Sequence, residues 1–159
     1  MDCLLCKKEE RGSRGACWAT NATYMITCNK CEEEGRDTHY VGETGFSGYS
    51  RGLQHMEGLR RRDQENVLYN HNIEQHREQE NNMMIPNDPS QFTMKKIGQH
   101  RGCLERQSTE GALIGAELRE RDIRMKSKEG KPMMILNSKK EFHQPGLISL
   151  KPSSIKYDN

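Results

Sequence analysis

The sequence predicts one small α/β domain that leans on a bound metal for stability. The order of elements gives the class: strand, strand, helix, helix, strand, helix, in a chain of 159 residues that is too short for a doubly wound sheet. Four cysteines in two CxxC pairs near the N-terminus give the metal. The third observation is a thin core. Apolar residues make up 32% of the chain, mean hydropathy is −1.02, and Leu, Ile, Val and Phe together number only 25. Disorder would need a high net charge as well, and here it is +2.

Each element has a local reason. ATYMIT from Ala22 to Thr27 is β-branched and aromatic and reads as a strand, and THYVGET from Thr38 to Thr44 as a second, with an acidic turn from Glu32 to Asp37 between them. Phe46, Tyr49, Leu53, Met56 and Leu59 recur at helical steps, so 46–60 is a helix despite Gly48, Gly52 and Gly58. Asn66 to Gln75 is a second helix, QFTMKKI a third strand, and Leu104 to Arg124 the longest helix. A polar loop is expected over 78–90, a basic loop from Lys126 to Lys131, and a short apolar run from Met133 to Leu136. The domain reading is a cysteine-rich segment over 1–36 that also supplies the first strand, a main domain over 18–142, and a poorly ordered tail over 143–159.

Cys3-x2-Cys6 and Cys28-x2-Cys31 lie 21 residues apart, close to the spacing of tetrathiolate zinc sites, so these four are the expected zinc ligands of an N-terminal finger. Cys17 is a substitute ligand and His39 a weaker candidate, while Cys103 reads as a small apolar residue. No run of about 18 apolar residues exists, and MDCLLCKKEE does not read as a signal peptide, so reduced thiolates are expected over disulfides.

Around the second cysteine pair stand Tyr24 and, in the YVG run, Tyr40; Arg51 follows on the next helix, with His55 one turn later, then Glu110 and Asn137. This order, with the blocks YVGETGFSGYSRGLQH, RQSTEGALI and ILNSKKEF, resembles the GIY-YIG nuclease family, and the cysteine pair between the two tyrosine motifs resembles the subgroup attached to Penelope-like retroelement reverse transcriptases. Ala22 and Thr23 depart from the Gly and Ile usual in the first motif. The resemblance implies a small sandwich with a three-stranded, mainly antiparallel sheet flanked by helices. It implies DNA phosphodiester hydrolysis, with Glu110 holding Mg²⁺ or Mn²⁺, Tyr24 as general base or relay, Arg51 on the phosphate, Tyr40 and His55 orienting, and Asn137 fixing the site. A nuclear location and an associated reverse transcriptase go with it.

Net charge is too mild to argue nucleic-acid binding alone. Clusters at Arg60, Arg61 and Arg62, at Lys95 and Lys96, and at Lys139 and Lys140 are the expected phosphate contacts. His71 and His76 are spaced along one helix, where one could assist the site or both be structural; His100 and His143 carry no reading. The rivals are a catalytically silent, zinc-braced DNA-binding module and a zinc-ribbon protein-interaction domain.

Overall fold

Burial on two faces dictates the centre of this molecule. In the computed structural model, which describes residues 16–76, 91–127 and 130–137, strand β1 (Ala22–Cys28) is buried at every position but Thr27. Such a strand must be covered on both sides. It pairs antiparallel with β2 (Asp37–Thr44) on one side and with β3 (Phe92–Gln99) on the other. The connection from β1 to β2 holds a short helix, α1 (Asn29–Glu33), where only a turn is expected; the turn itself is confined to the residues around Gly35, whose φ of 75° favours glycine.

Alternation along the strands sorts the core into two clusters. Tyr24, Ile26, Cys28 and Tyr40 face α2 (Gly48–Arg61) and α3 (Val67–His76), packing with Met56, Leu59, Leu68, Phe92 and Met94. Met25 and Val41 face the opposite way, onto Leu113 and Ile114 of α4 (Cys103–Ser127). Among the described residues, two ion pairs and a hydrogen bond on that second face tie β2 to α4: Arg106 with Glu43, Arg124 with Asp37, and His39 with Glu117.

The sheet is four-stranded and mixed, in the order β3-β1-β2-β4, which corrects the three-stranded expectation. The three antiparallel strands are present, and the apolar run after α4 adds β4 (Met133–Ile135), parallel to β2, with Thr38 opposite Met134. Local pattern shows a three-residue strand only as an apolar run. It becomes a strand because β2 offers an unpaired edge there.

Of the three glycines that weaken α2 in the sequence, Gly58 has a packing reason. A Cβ on Gly58 would stand 2.9 Å from Cγ of Asn66 and nearer still to its amide nitrogen. Asn66 uses that space to cap α3, accepting from the Leu68 and Tyr69 N–H groups at 3.0 and 3.1 Å, and to donate to the His55 carbonyl.

Candidate functional site

Two side-chain clusters share the face covered by α2 and α3. The first gathers Cys28, at the end of β1, Cys31 in α1, and His71 and His76 in α3, all buried, with one ligand atom from each lying within 4.8 Å of the others. The sulfur-to-Nε2 distances are 3.4 Å for Cys28–His76 and 3.5 Å for Cys31–His71 and Cys31–His76. A tetrahedron with Zn–S near ~2.3 Å and Zn–N near ~2.0 Å has S···N edges of about 3.5 Å. Three of the edges thus already match a zinc tetrahedron, and the cluster can hold a structural metal. Burial pushes the His71 imidazole down to about 4, which keeps it neutral with its lone pair available, and pushes the Cys28 thiol up to about 11. A cation is what would draw the proton off such a thiol.

This ligand set differs from the expected one in half its members. Cys28 and Cys31 are there as anticipated, whereas Cys3 and Cys6 lie outside the described residues. His71 and His76 complete the four donors. The sequence carries a signal for them that the tetrathiolate reading passed over: C-x2-C followed by H-x4-H, the spacing of Cys2His2 sites. Cys17 is disulfide-bonded and takes no part in the cluster. His39 points to the other face, where it meets Glu117 at 2.7 Å. Cys103 is exposed rather than a core residue, with its sulfur against the Arg106 guanidinium.

The second cluster is built on Tyr24. Its hydroxyl receives the Arg51 Nε–H at 2.9 Å and shares a hydrogen with His55 Nε2 at 3.0 Å. The rings of Tyr24, Tyr40 and His55 pack edge to face or tilted, with centroids 5.7 to 6.3 Å apart. Gly42 makes this possible: it lies opposite Tyr24 in the ladder, and a Cβ there would stand 2.5 Å from Tyr24 Cζ. Arg51 and His55, one turn apart on α2, reach the cluster from the same face because the helix starts where Ser47 caps it, accepting from the Ser50 N–H at 3.1 Å.

The electrostatics of this cluster run against the simplest expectation for Tyr24. Burial outweighs the lowering effect of Arg51, and the phenol is pushed up to about 12, with the Glu110 charge adding to the rise. Tyr24 is 1% exposed. At neutral pH it is therefore a protonated hydroxyl that holds Arg51 and His55 in place. Burial, and then the Arg51 charge, push His55 down to about 3, so its imidazole is neutral. Burial works against the charge on Arg51 too, but its interactions with Tyr24 and Tyr40 outweigh it and leave the guanidinium more firmly protonated than usual.

A groove of about 1140 Å³ runs beside the cluster, lined by Tyr40, Arg51, His55, Arg60, Arg61 and Leu136 among others. Arg62 instead forms the left-handed cap of α2, at φ 56°. Lys95 and Lys96 lie on the edge strand β3, and Lys139 and Lys140 lie outside the described residues. Glu110 sits half-buried near the start of α4, one turn after Arg106. Arg106 is itself buried and fans out from α4 to Glu43, to Asn21 Oδ1 at 2.7 Å and to Cys103.

Asn137 has a definite structural task. Its amide oxygen accepts from the Val41 N–H at 3.0 Å and its amide nitrogen donates to the Val41 carbonyl at 2.7 Å. The side chain thus stands in for one more residue of β4 and braces the strand between Tyr40 and Gly42.

No protein-family model, curated protein or solved structure matches this chain. Among the described residues no helix is long and apolar enough to cross a membrane.

Proposed function

We propose that the chain is a divalent-metal-dependent DNA endonuclease of GIY-YIG type, braced by zinc on Cys28, Cys31, His71 and His76. The observation that carries the reading is the convergence of Tyr24, Tyr40, Arg51 and His55, distant along the chain, beside one groove. Glu110 is near enough for its charge to act on Tyr24. Arg51 is the phosphate ligand in this reading: it lines the groove, stays charged, and is held by the Tyr24 hydroxyl so that its approach to an anion needs little ordering. Tyr40 and the neutral His55 line the same wall and orient the scissile group. A carboxylate such as Glu110, completed by waters and phosphate oxygens, suits a small hard cation. Mg²⁺ or Mn²⁺ bound there would neutralise charge on the nonbridging oxygens and reverse the sign of the field that Glu110 exerts on Tyr24. Arg60 and Arg61 extend the basic wall for backbone contact without sequence choice. Association with a retroelement reverse transcriptase rests on resemblance of the sequence blocks.

One observation favours the rival, a catalytically silent DNA-binding module: the Tyr24 hydroxyl is buried and protonated. Nicking of supercoiled plasmid with Mg²⁺ separates the two. The parent protein is expected to nick, and Glu110→Ala, Tyr24→Phe and Arg51→Ala to lose roughly 10²-fold or more, in keeping with the removal of one group that stabilises transition-state charge. Retention of DNA affinity with no nicking by the parent would hand the site to the silent module.

A further inference from the structure

Tyr49 in the first turn of α2 and Trp18 in the short turn before β1 form an aromatic pair that the cluster on Tyr24 does not use. The Trp18 indole stacks on the Tyr49 ring, with centroids 5.8 Å apart and planes inclined by 21°. One face of the indole is taken by that stack, yet Trp18 remains 68% exposed, so its other face is open to solvent; Phe46, just before the helix, is 71% exposed. The pair is held in place. The Gly48 N–H donates to the Ala19 carbonyl at 3.0 Å, joining the short turn Ala16–Trp18 to the helix start. Large exposed aromatics grouped on a fixed backbone mark a surface that meets something.

Charge narrows what that is. The segments 16–22 and 44–50, which build this surface, contain no Asp or Glu in a chain that has 23. Glu43, at their border, is neutralised by the Arg106 guanidinium. The positive end of the α2 dipole opens here. Arg51 follows Tyr49 by two residues, about 3 Å along the helix axis and about 200° round it, so a strand crossing the start of α2 passes from the aromatic pair to the guanidinium. A flat aromatic face built from segments without acidic residues, at the end of the helix that also carries Arg51, suits a polyanion with π faces of its own.

We infer that Trp18 and Tyr49 form a stacking platform for an unpaired base of a DNA strand whose phosphate lies on Arg51. The inference rests on the reading of the groove as a DNA site, and it does not depend on cleavage. It deepens that reading by naming the substrate class: DNA with at least one unstacked nucleotide beside the contacted phosphate, as in a single strand or a junction. Every base presents a π face, so the platform adds affinity without sequence choice.

Trp18 is the sole tryptophan, so its fluorescence reports on the platform alone. The zinc-loaded full chain, without Mg²⁺, is titrated with a short dye-labelled single-stranded oligonucleotide and with an abasic deoxyribose-phosphate strand of the same length, following Trp18 emission and dye anisotropy together. The base-bearing strand is expected to quench Trp18 and to bind about tenfold more tightly than the abasic one. Tyr49→Ala and Trp18→Ala, followed by anisotropy, should each shrink that advantage below about twofold and leave abasic binding as it was. Equal affinity for the two strands overturns the platform while leaving the DNA groove standing. So does tight binding of the base-bearing strand with unchanged Trp18 emission, which gives the pair to another occupant. Binding of neither strand defeats the reading of the groove itself, and the platform falls with it.

Discussion

Replacing Gly42 with alanine tests the geometry on which the proposed site depends. The added Cβ would lie 2.5 Å from Tyr24 Cζ and closer still to its hydroxyl. Ordinary carbon contacts begin near ~3.5 Å, so the ring must retreat by about 1 Å. Tyr24 is walled in by the core cluster and tethered by hydrogen bonds of 2.9 Å to Arg51 and 3.0 Å to His55. A retreat of that size takes a hydrogen bond to about 4 Å, beyond its working range. Overpacking costs about 1–3 kcal/mol, and a lost hydrogen bond to a charged group about 1.5–3 kcal/mol more. The expected destabilisation is therefore about 2.5–6 kcal/mol, a large share of the ~5–15 kcal/mol of a typical domain. Urea unfolding followed by far-UV circular dichroism measures it. Tyr24→Leu removes the atoms that clash, so Gly42→Ala in that background should cost at least about 1 kcal/mol less than in the parent. If Gly42→Ala unfolds within about 0.5 kcal/mol of the parent, Tyr24 does not lie over Gly42 and the cluster described here is wrong.

Three further outcomes follow from the same coordinates. A strong chelator is expected to lower the melting temperature by at least about 10 °C, and His71→Ala or His76→Ala to remove about one equivalent of zinc by elemental analysis; an unchanged zinc content in both variants would dissolve the Cys2His2 assignment. His55 is buried neutral and pushed down to about 3, so between pH 6.5 and 3 the unfolded chain takes up a proton at this residue that the folded one refuses. Its contribution to stability is present above pH 6.5 and is lost as pH falls, by about 2 kcal/mol at pH 5; His55→Gln should unfold with a shallower dependence between pH 7 and 5, and parallel curves for the two proteins would show that His55 is not held neutral. Asn137→Ala leaves the N–H and carbonyl of buried Val41 without their side-chain partner, at a cost of about 2 kcal/mol or more in chemical unfolding with zinc content unchanged; a loss below about 0.5 kcal/mol would show that water replaces the amide.

The elements were legible where a single period ran long enough. β1, β2 and β3 announce themselves by β-branched and aromatic runs, and α4 by 25 residues of helical spacing, because those preferences act between neighbours in the chain. β4 was not legible as a strand, since three residues have too little pattern and the edge of β2 recruits them. The same limit explains α1. Its helical turn is set by the need to bring Cys31 round beneath Cys28, within reach of α3, a requirement that arises only in three dimensions.

The sequence by itself determined the α/β class, a cysteine pair placed where a metal could be held, and the ordered series Tyr24, Tyr40, Arg51, His55 that the fold gathers beside one groove. These follow from residue type and spacing, which local physics reads directly. Tertiary structure decided which of the candidate donors meet at the cysteine pair, that the Tyr24 phenol is pushed above its ordinary value, and that Asn137 closes a strand. Each of those outcomes depends on which distant side chains exclude water from a given atom, and desolvation is a property of the packed interior that no stretch of chain carries on its own.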